Sequence, residues 1–215
     1  MRLTLITTLA LAAALLCGCK ATVSTDVNYS QLFAPAAYVD SRLTIEIPSC
    51  TDRETGFDSS SLLEVKNRVP AVFPNAQYLG CRRVKFDTFA EFLVPVRVGK
   101  ADAACAHTDI CLFGNDSAHV YLSASEGFRQ GFTRLSKGAS ATLEPVVQIR
   151  LSNDSGKPVQ LGAISLFVDG KPFHYHVLTM SAGQGVNLQI SDVAAQSVIA
   201  GNDTTLFFEL KDQQN

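Results

Sequence analysis

The stretch LGAISLFVDGKPFHYHVL, residues 161–178, decides the class of the fold. Two apolar runs, 161–168 and 173–178, flank Asp169-Gly170. An Asp-Gly pair between apolar runs is a strong hairpin signal, because both central positions of the favoured two-residue turn need positive φ. Outward from this hairpin the pattern repeats. Residues 143–151, 186–190 and 206–210 read as further strands, separated by the turn-forming stretches 153–156, 183–185 and 201–203. Short strands at this regular spacing predict an immunoglobulin-like sandwich.

The preceding half reads differently. Thr22–Tyr29 alternates polar and apolar residues with a period of two, the mark of a strand or, so near the N-terminus, of an extended tether. Leu43, Ile45 and Ile47 form a half-buried strand stopped by Pro48. Ser61 and Glu64 fit a capping box, with Leu62, Val65 and Val69 on one helical face and Pro70 and Pro74 as stops. Strands over 77–84 and 86–98 follow, and Pro95 predicts an edge position for the second. A polar, cysteine-bearing loop is expected over 98–115, then a short strand over 119–123. After it comes a helix opened by Ser123 and Glu126, carrying Phe128, Phe132 and Leu135, and stopped by Gly138. The expected fold is therefore an α+β N-terminal unit (β-α-β-β) followed by an all-β sandwich. The expected organisation is a signal segment over 1–18, the α+β unit with its tether over 19–115, and a β-sandwich-like domain with a short leading helix over 116–215.

Composition limits function. The chain has 215 residues, 47% hydrophobic and 18% charged, so it can bury a core, and disorder or low-complexity fibre is excluded. A net charge of −2 carries no basic excess, which argues against a nucleic-acid partner. Residues 139–215 hold seven acidic against four basic side chains, so the acidity belongs to the C-terminal half.

The first residues read as an address. Arg2 precedes LTLITTLALAAALL (3–16), an apolar run that fits a signal peptide and is too short for the ~18 residues of a spanning helix. Leu16-Cys17-Gly18-Cys19 then resembles a bacterial lipobox. That resemblance implies cleavage before Cys19 and a diacylglyceryl group on its thiol, with a second acyl chain giving stable anchoring. Lys20 behind it points to the outer rather than the inner membrane.

Six cysteines then resolve into three groups. Cys17 leaves with the signal, Cys19 is acylated, and Cys50, Cys81, Cys105 and Cys111 remain, with three possible pairings. An oxidising envelope favours disulfides, and Cys50–Cys81 with Cys105–Cys111 is the expected set. A metal reading of Cys105 and Cys111, with His107 and Asp109 between them, is the lesser alternative, since the spacing is wider than zinc pairs usually show. His174 and His176 share a face of one strand and offer a second weak metal candidate; an exposed hairpin strand is the simpler reading. Arg129, Arg134 and Lys137 on the second helix form either a solvated face or a patch for anionic headgroups. Asn28, Asn115, Asn153 and Asn202 begin N-x-[ST] sequences that reflect turn chemistry here. Nucleophile elbow, zincin helix, P-loop and dinucleotide fingerprint are all lacking in the sequence, so no catalytic residue and no cofactor is predicted.

The lipobox cysteine with Lys20, the strand ending at Cys50, VFPNAQYLGC (72–81), FLVPVRVGK (92–100) and RLSND (150–154) together resemble a group of small bacterial lipoproteins, often encoded by phages or prophages. The anchor, together with a predicted sandwich that carries no catalytic motif, points to a non-enzymatic envelope lipoprotein that binds another protein or modifies the cell surface, and the resemblance assigns no catalytic residue. The resemblance implies, as one alternative, phage–host surface biology such as exclusion of competing phages. An envelope metal-binding protein is the other alternative.

Overall fold

A computed structural model describes residues 19–101, 105, 109–138 and 143–210. The signal segment, Cys17 and His107 lie outside the described residues. The molecule is rich in β-structure, but its strands close into one nine-strand barrel. The strands are β1 (Cys19–Asn28), β2 (Ala37–Ile47), β3 (Gln77–Val84), β4 (Asp87–Lys100), β5 (Ile110–Gly114), β6 (His119–Ala124), β7 (Leu143–Ser152), β8 (Val159–Val168), β9 (Lys171–Met180), β10 (Gly185–Ile190) and β11 (Thr204–Glu209). Three helices punctuate them: α1 (Ser60–Val72), α2 (Glu126–Gly138) and α3 (Asp192–Ala200).

The wall runs β10-β7-β1-β2-β4-β5-β6-β11-β8, and a β10–β8 pairing closes it. A β-α-β-β unit followed by a separate sandwich is thus not what these strands build. The physical reason is pairing at long range. β1 runs parallel to β7 over ten residues, Cys19 opposite Leu143 to Asn28 opposite Ser152, and β4 runs parallel to β5. Periodicity shows where strands are but not which strands meet. β1 is no tether either, since Ala21, Val23, Thr25 and Val27 are buried in the wall.

Closure depends on β8. Its Leu161–Ala163 segment pairs with β11 and its Leu166–Val168 segment with β10. Ser165 lies between them at φ +50°, a left-handed residue inside a strand. The β8–β9 hairpin turns at Asp169 (φ +46°) and Gly170 (φ +80°), as the Asp-Gly pair predicts. β4 also serves two neighbours on one side, β3 up to Leu93 and β5 from Arg97. Pro95, which has no N–H to donate, falls in the gap between them, so it marks a change of partner and not an edge strand.

Some local expectations move by a few residues. Ser59, not Ser61, caps α1 by accepting the Leu62 N–H, and the helix passes through Pro70 to Val72. Ser125, not Ser123, accepts the Phe128 N–H at 3.2 Å to cap α2. β5, fully buried, replaces part of the expected 98–115 loop, and α3 falls between two predicted strands in the half expected to be all-β.

The two barrel ends are closed differently. α1 follows β2, α2 follows β6 and α3 follows β10, and their apolar faces meet at one end. Phe73, Phe128, Phe132, Leu135 and Val198 pack there against Ala21, Ile45 and Leu122 around a residual cavity of about 30 Å³. That is room for a water or two at most, in an apolar lining, so the barrel is filled and not a vessel. At the other end a 3-10 turn, Tyr29–Phe33, crosses the opening with Leu32 fully buried. Gly114 permits this, because a Cβ there would collide with the Leu32 carbonyl oxygen and the Phe33 ring.

Candidate functional site

The pairing predicted for Cys50, Cys81, Cys105 and Cys111 is realised in two disulfides. Cys50–Cys81 ties the loop after β2 to β3, and Cys105–Cys111 ties the β4–β5 connection to the buried β5. Cys105 and Cys111 are therefore not thiolate ligands. Cys19 is the first residue of β1.

His174 and His176 lie on β9, and the structure gives them different surroundings. His174 is exposed, whereas His176 is half-buried with its ring stacked on Phe173 at 4.2 Å between centroids. No group of three His, Cys, Asp or Glu side chains close enough to hold a metal exists among the described residues.

A different assembly emerges around β9. Four aromatic rings form a continuous row across β6, β11 and β9. Tyr121 and His119 stack at 6.3 Å, His119 and Phe208 at 5.4 Å, and Phe208 and Tyr175 at 6.5 Å, with interplanar angles between 22° and 28°. Gly162 on the intervening β8 makes the row possible, since a Cβ there would sit 2.7 Å from the Phe208 ring. Asn115 fixes one end. Its Nδ2 donates to the Tyr121 hydroxyl at 3.3 Å, and its Oδ1 accepts the His119 N–H at 2.9 Å. The His119 Nδ1 lies 3.0 Å from the Ser117 carbonyl oxygen, which holds the ring in the row.

The other end of the row is open. β9 pairs with β8 alone among the described residues, leaving its outer edge free. Tyr175 is 51% exposed and Val177 45% exposed on that strand. Lys171 and Pro172 protect the start of the edge in the way natural sheets do, but from Phe173 to Met180 the strand holds no lysine, carboxylate or proline, and no described strand pairs with its outer side. An open edge offers unpaired backbone donors and acceptors, and adjacent apolar side chains offer area to bury. Tyr121, His119 and Phe208 were not legible as site residues. His119 and Tyr121 share one short strand, whereas Phe208 and Tyr175 come from two others, and only the pairing of those strands brings the four rings together.

A second surface is polar. On the outer faces of β1, β7 and β10, Ser24 donates to Gln148 Oε1 at 3.1 Å and Gln148 Nε2 donates to Gln189 Oε1 at 3.1 Å. Asp26, Arg150 and Asn187 stand in the next register row of the same groove of about 400 Å³. Of the basic residues on α2, Arg134 and Lys137 are exposed. Arg129 instead folds against Gly201, where a Cβ would collide with its guanidinium, and its Nε is buried with no hydrogen-bond partner. Arg129 is thus a packing element more than part of a free basic face.

A family described as a domain of unknown function, DUF7424, matches residues 21–213 and so spans the barrel from β1 to β11. The chain belongs to that family. No curated protein and no solved structure matches it. In this DUF7424 chain the aromatic row and the free β9 edge lie within the matched region, and Cys19 lies two residues before it.

Proposed function

We propose that this chain is a lipid-anchored bacterial envelope protein that binds a partner polypeptide rather than turning over a substrate. The observation that carries the reading is the aromatic row ending on the free edge of β9. An extended partner segment adds to β9 by backbone hydrogen bonds, and its apolar side chains pack on Tyr175, Val177 and Phe208. The anchor is supported by the lipobox pattern at Leu16–Cys19, with Cys19 as the acylated residue and Lys20 favouring the outer membrane. Two disulfides suit an oxidising compartment.

Two measurements test it. Mass spectrometry of the purified protein is expected to show a chain that starts at an acylated Cys19, and Cys19→Ser is expected to leave the membrane fraction. A photo-crosslinking phenylalanine analogue in place of Tyr175, in cells, is expected to give one discrete protein adduct that Phe208→Ala weakens. Absence of an adduct at Tyr175 while Cys19 is acylated would reject the partner reading and leave the anchor standing.

A further inference from the structure

The position of Cys19 within the fold constrains how an anchored molecule sits. β1 begins at Cys19 itself, and Cys19 is already paired in register with Leu143 of β7. No linker separates the acylated residue from the barrel wall. A body tethered by a flexible segment can tumble, but one whose wall starts at the lipid has its end held at the headgroups.

The surroundings of that end match a lipid surface. On one side of β1, the Leu143 N–H donates to Ser136 Oγ at 3.3 Å, so the last turn of α2 lies against the strand that pairs with Cys19. Arg134 and Lys137, three residues apart on that helix, are exposed there, as is Lys20. On the other side, Ala21 pairs with Ile45 of β2, and Ile47 pairs with Thr88 of β4. The two-residue turn Lys85-Phe86 projects past Thr88 from the same sheet end, two strand spacings or about 10 Å from β1. Phe86 is 89% exposed, the most exposed large apolar side chain among the described residues. Acidic neighbours are present as well: Asp87 and Glu144 are exposed, and Glu46 is half-buried with its carboxylate 3.4 Å from the Lys20 N–H.

We propose that the barrel end bearing Cys19 docks on an anionic phospholipid surface, with Phe86 seated at the interface and Lys20, Lys85, Arg134 and Lys137 on the headgroup phosphates. This rests on the reading of Cys19 as acylated. Aromatic side chains are favoured at the headgroup level, and each basic residue near an anionic leaflet adds to the attraction. Docking in this pose directs the opposite end, some ten residues of β1 away, into solution.

The chain contains no tryptophan, so a single introduced indole reports on one place. Phe86→Trp and, at the far end, Lys157→Trp are made in the full lipidated protein and reconstituted into vesicles of phosphatidylcholine and phosphatidylglycerol carrying brominated acyl chains. Trp at 86 is expected to be blue-shifted and quenched about twofold or more, as an interfacial indole is, while Trp at 157 is unquenched. Adding Arg134→Glu and Lys137→Glu is expected to reduce the quenching at 86. Acylated Cys19 with equal emission from both positions overturns the pose and leaves the anchor reading intact. Quenching at 86 that charge reversal leaves unchanged overturns the role of the headgroups, and an unmodified Cys19 overturns both pose and anchor.

Discussion

The two ends of the barrel solve one problem with opposite chemistry. At the helix-capped end, closure is apolar: Phe128 lies edge-on to Phe73 at 5.3 Å and stacked on Phe132 at 6.0 Å, and the helices hold position by area buried. At the other end, closure is by hydrogen bonds to a short turn. The Tyr29 hydroxyl donates to Glu209 at 2.9 Å, and the Ser30 N–H and hydroxyl donate to Asp154. Close by, the fully buried Asn153 Nδ2 donates to the carbonyls of Lys157, Met180 and Ser181 at 2.8–3.1 Å, while its Oδ1 accepts from Ser155. The difference follows from length. Helices of 9–13 residues have a long apolar face to bury, whereas the five-residue turn buries little beyond Tyr29 and Leu32 and is pinned by hydrogen bonds as well.

Substitutions at each end sharpen that contrast. The largest effect is expected for Phe128→Ala, which empties the packing between α1 and α2 and should cost about 3–5 kcal/mol, read as a fall in the urea midpoint. Next comes Asn153→Ala. It strands the buried Met180 carbonyl and removes the part-buried bonds to the Lys157 and Ser181 carbonyls, so about 1–3 kcal/mol is expected, with the slope of the urea transition unchanged. If Asn153→Ala cost less than a few tenths of a kcal/mol, the polar end would be ornamental and the comparison would fail. Tyr29→Phe should cost only about 1 kcal/mol, because it deletes one hydrogen bond and leaves Glu209, half-exposed, able to find water. Burial first, and then the Glu209 carboxylate, raise the Tyr29 phenol well above its ordinary value, so no change from this group is expected below pH 10.

The smallest effect concerns acid. The hydrogen bond from Ser30 lowers the Asp154 carboxyl below its ordinary value of 3.8. A lowered folded-state value means that the ionised form is favoured by folding. Its contribution is therefore complete above 3.8 and disappears as pH falls through the lower folded value. Ser30→Ala should accordingly narrow the stability gap between near-neutral and strongly acidic urea titrations, and the apolar end should show no counterpart.

Sequence reading located most strands because side-chain alternation and turn chemistry are local properties. β3 was expected over 77–84 and the structure has it at Gln77–Val84; the Asp169-Gly170 turn joins β8 to β9 as expected. Both disulfides were also legible, since one joins a predicted strand end to a predicted strand and the other closes a six-residue step. What stayed hidden was non-local. Two parallel pairings, β1–β7 and β4–β5, turn a supposed unit-plus-sandwich into one barrel, and no residue in either partner advertises the other. β5 was masked by its polar, cysteine-rich approach. α3 was masked by composition: Val193-Ala-Ala-Gln-Ser-Val-Ile-Ala lacks a clear polar stripe, although Ser191 as N-cap and Gly201 at φ +102° as C-cap were signals in place. The aromatic row was illegible for the same reason as the barrel, because its rings come from strands separated by up to 89 positions.

The β1–β7 pairing also sets an order of events. A ribosome delivers β1 first, yet its parallel partner begins 124 residues later, and β10, which completes the wall on that side, later still. Until then the strand that begins at Cys19 can hold only β2. The nascent protein therefore waits, with an open apolar edge, for nearly its whole length to arrive. A chaperone that shields residues 19–47 during that interval would raise yield without altering the stability of the finished barrel.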